Sequence, residues 1–246
     1  MYMHKFGVAL LNSIALCLPV FGSAQQPAYE ATVAYDYWFT SDSVGDHKEI
    51  TELFARYVAD EVALDTLPES QWVALEHMDS HDTDLYQILP GCSWYCGAMY
   101  EVACSSELPP QGTRTYSCTN LANFTLEDAW IEDVPGNGEG ERISFYLEKD
   151  HPRVTEILLV NGYVRTEQLY RDHGRFKQLR MYLDGTFVAT LNFSDVYAAQ
   201  RVVLQHPLVF GKDENILAFE ITESYPGARY EQTAISQLYF NGLDVH

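Results

Sequence analysis

Positive charge is the first thing this chain lacks. It carries 15 Lys and Arg against 35 Asp and Glu, a formal net charge of −20. Such a balance argues against nucleic acid and anionic lipid as partners, because both need clustered bases. Long apolar runs are also missing beyond the first 21 residues, so no membrane span is expected in the rest of the chain. Catalytic signatures are missing too: there is no G-x-S-x-G, no H-E-x-x-H, no P-loop, and no G-x-G-x-x-G behind a strand. The alternate glycines Gly136, Gly138 and Gly140 precede a strand rather than a helix, and Glu139 and Glu141 would repel phosphate. Carboxylate pairs at Glu127-Asp128 and Glu132-Asp133 have the residue types of a glycosidase, but in so acidic a chain such pairs arise by composition. Cysteine is scarce, five in 246 residues, and Cys17 lies in the leader-like start.

Aromatics are abundant, with 17 Tyr and 12 Phe, which suits strands and binding surfaces better than a helical bundle. Residues 1–24 have the form of a cleavable signal peptide: His4 and Lys5, an apolar stretch from Gly7 to Phe21, and small residues ending at Ala24, where cleavage is expected. The alternative is a membrane anchor, for which the run is short and has no basic flank after it. A secreted or periplasmic protein is therefore expected. The four cysteines that remain are Cys92, Cys96, Cys104 and Cys118, separated by three, seven and thirteen residues. An even count in an exported chain implies disulfides, with three pairings open. Cys92–Cys96 with Cys104–Cys118 is preferred, since each closes a short loop; a zinc site is the rival, and its usual paired C-x2-C units are absent.

Residues 25–90 form an acidic N-terminal segment with 14 acidic and 2 basic residues, expected to pack on the main domain. A strand reads at 31–39 and an amphipathic helix at about 47–60, introduced by Asp46 and Glu49 at capping-box spacing. His77 and His81 stand four apart among carboxylates and would share a helix face as metal ligands; the alternative is a solvated acidic loop. From residue 91 the texture changes. Strands read at 143–149, 155–160, 176–183, 186–192, 201–208, 216–222 and 234–240, with Asp184-Gly185 as a two-residue hairpin turn. The apolar run EILLVN at 156–161 predicts a central strand, and Trp130 is expected to anchor a corner at the start of the sandwich. Short strands with little helical period define an all-β fold, an antiparallel sandwich or jelly roll.

Several segments together carry a resemblance. They are Cys92-Ser93-Trp94-Tyr95-Cys96-Gly97, Ala129-Trp130 with Glu132 and the three spaced glycines, Val160-Asn161-Gly162-Tyr163, Arg171-Asp172 with Arg175, Tyr225-Pro226-Gly227 with Tyr230, and the run from Phe240 to His246. Residues 92–246 resemble the bacterial NADase-type glycan-binding domain, a discoidin-like, galactose-binding-like jelly roll related to the F5/8 type C fold. The resemblance implies a non-catalytic module that binds a glycan or cell-surface polysaccharide; the rival is a structural module that docks an exported protein partner. It does not carry over NAD glycohydrolase activity, since the similarity is to an accessory domain. This chain departs from the family at Asn123, Asp128 and Gln237, where the family tends to have Asp, Thr and Glu. Asn123 and Asp128 are the candidate ligands of a structural Ca²⁺ in the 120–128 loop, against an Asx-stabilised turn without metal; otherwise no cofactor is expected. Glycan contacts are expected in two loops where bases and aromatics stand out from the acidic background: Tyr163, Arg165, Tyr170, Arg171, Asp172, His173 and Arg175 in the first, and Tyr225, Arg229 and Tyr230 in the second.

Overall fold

The structure, a computed structural model, describes residues 26–39, 52–53, 55–57, 59–69, 71, 100–122 and 126–244. The expected signal peptide, the His77/His81 pair, Trp94 and the Cys92–Cys96 pairing lie outside the described residues. Eleven strands among the described residues form two sheets. In chain order they are β1 (Ala28–Glu30), β2 (Thr32–Trp38), β3 (Tyr100–Cys104), β4 (Trp130–Ile131), β5 (Arg142–Glu148) and β6 (Val154–Asn161). The remainder are β7 (Arg175–Leu183), β8 (Thr186–Asn192), β9 (Ala198–Leu208), β10 (Glu214–Tyr225) and β11 (Ala234–Gly242). A six-stranded sheet has the order β1-β8-β7-β10-β5-β3, and a five-stranded sheet the order β2-β9-β6-β11-β4. All ladders are antiparallel except that of β1 with β8. This is the jelly-roll sandwich that the strand pattern predicts.

Alternation decides which side of each strand enters the core. Ile143, Phe145 and Leu147 on β5 and Leu217, Phe219 and Ile221 on β10 are buried, while the residues between them face outward. They meet Ile157, Leu159, Val202, Leu238 and Phe240 of the opposite sheet in one cluster. Phe145 and Phe240 touch edge to face across the interior, with ring centroids 4.8 Å apart, an arrangement that aromatic quadrupoles favour. β6 and β11 do not alternate. They are buried over most of their length because a second cluster, including Ala34, Phe39, Leu126, Val164 and Tyr170, covers Leu158, Val160 and Tyr239 on the outer face of the five-stranded sheet. β6 lies between β9 and β11, the central position its apolar run predicts.

The N-terminal residues join this body. β1 extends the edge of the six-stranded sheet and β2 that of the five-stranded sheet, with only Ala31 between them. Of the helix expected over about 47–60, residues 52–53 and 55–57 are helical. The β7–β8 hairpin turns at Asp184 (φ 51°) and Gly185 (φ 77°), the doubly positive conformation of a type I′ turn. Cys104, at the end of β3, is bonded to Cys118 in a short 3₁₀ helix, Cys118–Ala122, with a Cα–Cα distance of 5.7 Å. Closing a loop of this length stabilises the fold by about 3 kcal/mol.

Trp130 is fully buried, its indole Nε1 donating to the Ser106 carbonyl at 2.9 Å and its ring meeting Phe176 edge to face. The following turn folds back over Glu132, whose carboxylate accepts from the backbone N–H groups of Val134 (2.8 Å) and Thr233 (2.9 Å). Burial raises the Glu132 pKa against the pull of those two hydrogen bonds. Gly138 sits at φ 74°, and a Cβ there would come within 2.9 Å of the Glu132 side chain. The glycine run is therefore an architectural corner, with a backbone that no other residue adopts cheaply.

Candidate functional site

One end of the sandwich is built from the 161–175 segment, which leaves β6, and the 225–230 segment, which leaves β10. For the first, the sequence predicts a loop. It contains a six-residue helix, α1 (Glu167–Asp172), started by Thr166, whose side chain accepts from Leu169 N–H at 3.1 Å. Thr166 is the N-cap signal that marks this helix in the sequence.

Beneath the surface lies a buried arginine. Arg175 places its guanidinium in a fork on Asp195, Nε to Oδ1 at 3.0 Å and Nη2 to Oδ2 at 2.7 Å. Its Nη1 donates to the His173 carbonyl at 2.7 Å and the Pro226 carbonyl at 3.3 Å. One side chain thus ties together the β7 start, the α1 end and the second loop. The Tyr170 hydroxyl also donates to Asp195, at 2.9 Å. Burial raises the Asp195 pKa, but hydrogen bonds from Arg175 and Tyr170 outweigh it and hold the carboxyl below its ordinary value. Gly162 is required next to this clamp: it sits at φ 84°, and a Cβ would strike Tyr170 at 2.7 Å and Arg175 at 2.9 Å.

The two loops are joined backbone to backbone. Arg229 and Tyr230 N–H groups donate to the Asp172 carbonyl at 3.1 and 2.8 Å, and Ala228 N–H donates to the Arg171 carbonyl at 2.9 Å. This approach needs Gly227, where a Cβ would lie 2.3 Å from the Asp172 oxygen. An aromatic ladder runs across the joint. Tyr116 meets Tyr163 at 6.4 Å, Tyr163 meets His173 at 5.9 Å, and His173 stacks on Tyr230 at 4.6 Å. The exposed Arg229 lies over the outer ring, its Cζ 5.1 Å from the Tyr230 centroid.

These contacts sort the expected ligand-binding residues. Tyr163, Tyr170, Asp172 and Arg175 are all buried, at 2%, 7%, 8% and 8% exposure. Their polar groups are spent within the protein, Tyr163 Oη on the Glu127 carbonyl and Asp172 Oδ1 on Gln168 Nε2. These four thus lie beneath the surface of the loop end rather than on it. Tyr225, Tyr230 and Arg165 are half-buried, while Arg171 and Arg229 are exposed. Tyr225 donates its hydroxyl to the Phe193 carbonyl, and Arg171 pairs with Glu167 one helical turn earlier. His173 is buried, and its Nδ1 has no hydrogen-bond partner. Desolvation lowers its pKa to about 4, against the opposing pull of Asp172 and the Gln232 backbone. Sequence reasoning missed Asp195, Arg114 and Tyr116; Arg114 follows Gly112 in a tight turn bridged to Gln111.

Of the calcium candidates, Asn123 lies outside the described residues and Asp128 is half-buried. Among the described residues, no group of three or more His, Cys, Asp or Glu is arranged to hold a metal ion. Among them, too, no helix is long and apolar enough to cross a membrane. A separate concavity of about 260 Å³ at the β3 edge is lined by Tyr100 and Tyr146 together with Glu101, Glu148, Asp213 and Glu214. Its acidic walls contrast with the arginine-bearing loop end.

The two packed sheets, with their connecting loops gathered at one end, define a discoidin-like β-sandwich module. Residues 94–241 match the model of the NAD glycohydrolase translocation F5/8 type C domain, and the chain belongs to that family. No curated protein matches the chain. Among solved structures, the CBM32-1 and CBM32-2 domains of Clostridium perfringens ZmpB in complex with GalNAc are 12% identical with a TM-score of 0.44; the alignment covers 61% of this chain and 34% of that one, so the chain spans about a third of that structure. The family 32 carbohydrate-binding module of Streptococcus pneumoniae EndoD is 12% identical with a TM-score of 0.44, over 60% of this chain and 98% of that one. The C-terminal domain of a chitobiase from Bacteroides fragilis is 16% identical with a TM-score of 0.41, over 60% and 95%.

Proposed function

We propose that this protein is an exported, non-catalytic module that binds a glycan at the loop end formed by residues 161–175 and 225–230. The observation that carries the reading is the rigid joint between these loops. Backbone bonds to the Asp172 carbonyl and the Arg175–Asp195 fork hold Tyr230 and Arg229 at the surface without help from a ligand. A preformed aromatic face beside a planar cation is what saccharides require, since one face of the ring is apolar and its rim carries hydroxyls. Membership of the F5/8 type C family supports the same reading. Contact residues are Arg165, Arg171, Tyr225, Arg229 and Tyr230, with Tyr163, Tyr170, Asp172, His173 and Arg175 as the frame beneath them. The Cys104–Cys118 bond supports an oxidising, exported location, for which cleavage after Ala24 provides the route. Glycan-array binding of the mature protein, repeated with Tyr230→Ala and Arg229→Ala, tests this. Binding that both changes weaken at least tenfold upholds the site. No glycan bound, or binding untouched by both changes, overturns it.

A further inference from the structure

Acids outnumber bases 35 to 15 in this chain, so most surface cations should find a carboxylate nearby. Most do, including Arg142 with Glu220, Arg153 with Asp244 and Arg201 with Glu156. Among the described residues, four arginines make no ion pair: Arg114, Arg165, Arg180 and Arg229. Three of the four flank one aromatic ladder, Tyr116-Tyr163-His173-Tyr230. Arg165 stands two residues after Tyr163 and Arg114 two residues before Tyr116, whose ring meets that of Tyr163 at 6.4 Å; burial raises the Tyr163 pKa, and the two guanidiniums oppose the rise electrostatically. Arg229 lies over Tyr230, two rings along the same ladder through His173.

A guanidinium presents donors in a planar fork that matches a carboxylate or a sulfate at two points. In so acidic a background, three such forks left without a carboxylate partner along one aromatic ladder call for an anion from the ligand. Acids more than about 8 Å away do not cancel the effect, because at that separation charges are largely screened at physiological ionic strength. We infer that the site takes an acidic saccharide, one bearing a carboxylate or a sulfate, in preference to its neutral counterpart. This rests on the carbohydrate-binding reading above and sharpens it.

The test uses matched pairs of short oligosaccharides on the mature protein, followed by calorimetry: sialyllactose with lactose, oligogalacturonate with its methyl ester, and a sulfated galactoside with the unsulfated sugar. The acidic member of at least one pair is expected to bind tenfold or more tightly than its neutral partner, and the pair that shows this separates carboxylate from sulfate. Arg165→Gln and Arg229→Gln should each bring that ratio toward one. Arg180→Gln, which removes an unpaired arginine from the middle of β7, should leave it unchanged. The melting temperature of each variant shows that it is folded, and Arg114→Gln, in an exposed turn, serves in place of any that is not. Equal binding within every pair, or a preference that survives the Arg165→Gln/Arg229→Gln double change, overturns the inference while leaving a neutral-sugar site standing. A protein that binds no saccharide of either kind fells the carbohydrate-binding reading itself.

Discussion

The 161–175 and 225–230 segments look alike in sequence, each mixing tyrosines with arginines, yet the fold gives them opposite tasks. The first turns most of its polar groups inward. Arg175 is buried on Asp195, and Tyr163 and Tyr170 point their hydroxyls at internal acceptors. The second spends its backbone on the joint but leaves Arg229 exposed and Tyr230 half-exposed. An arginine beside aromatics is thus a frame in one loop and a surface in the next, and residue type does not separate the two. The partner does: Asp195 arrives from a distant turn to claim Arg175, while among the described residues no carboxylate claims Arg229.

The sharpest way to break this comparison is Arg175→Ala. Removing it leaves Asp195 without its cation and the contacts to the Tyr170, His173 and Pro226 carbonyls unmade, and should destabilise the protein by about 3 kcal/mol, somewhat below the cost at a fully buried pair because Asp195 is partly exposed. Denaturant unfolding reads this directly, and a change under about 1 kcal/mol would show that the clamp is not structural. Gly227→Ala comes next, at about 2 kcal/mol, because its Cβ would press on the Asp172 carbonyl and part the two loops. It should also weaken glycan binding, which a purely local strain would not do.

His173 makes the joint sensitive to acid. Its native pKa, lowered to about 4, lies below the ordinary value of 6.5, so between these pH values the unfolded chain takes up a proton that the native protein refuses. Its contribution to stability is therefore complete above about pH 6.5 and falls away as the pH drops toward 4, by on the order of 2 kcal/mol. In His173→Phe that part of the acid sensitivity should vanish, seen as a smaller drop in melting temperature between pH 7 and pH 4.5. Arg229→Ala should produce the smallest change in stability, within about 0.5 kcal/mol, as expected for an exposed side chain. A larger loss in that variant would move Arg229 from the surface to the frame.

Much of the sandwich was legible in the chain because periodicity is local. Alternation marks β5, the continuous apolar run marks the central β6, and Asp184-Gly185 marks the hairpin. The short β1 and β4 were missed because three-residue and two-residue strands carry no period of their own; their neighbours define them. Helix α1 was hidden by its length, six residues being too few to display a helical stripe. At the candidate site, two loops stood out by composition, and the preference for the Cys104–Cys118 pairing matches the bond observed. What no local pattern carried was burial, since Tyr163 and Tyr230 differ in exposure only through what packs over them.

The sequence by itself determined that this is a β-sandwich, where its central strands run, and that Trp130 and the following glycines form a corner. These follow from side-chain alternation, backbone freedom and the low solubility of large aromatics, all properties of neighbouring residues. Only the tertiary structure decided which arginine is a clamp and which face a surface. That choice depends on contacts such as Arg175 with Asp195 and Gly227 with Asp172, between residues 20 and 55 positions apart, which exist only once the two sheets have closed.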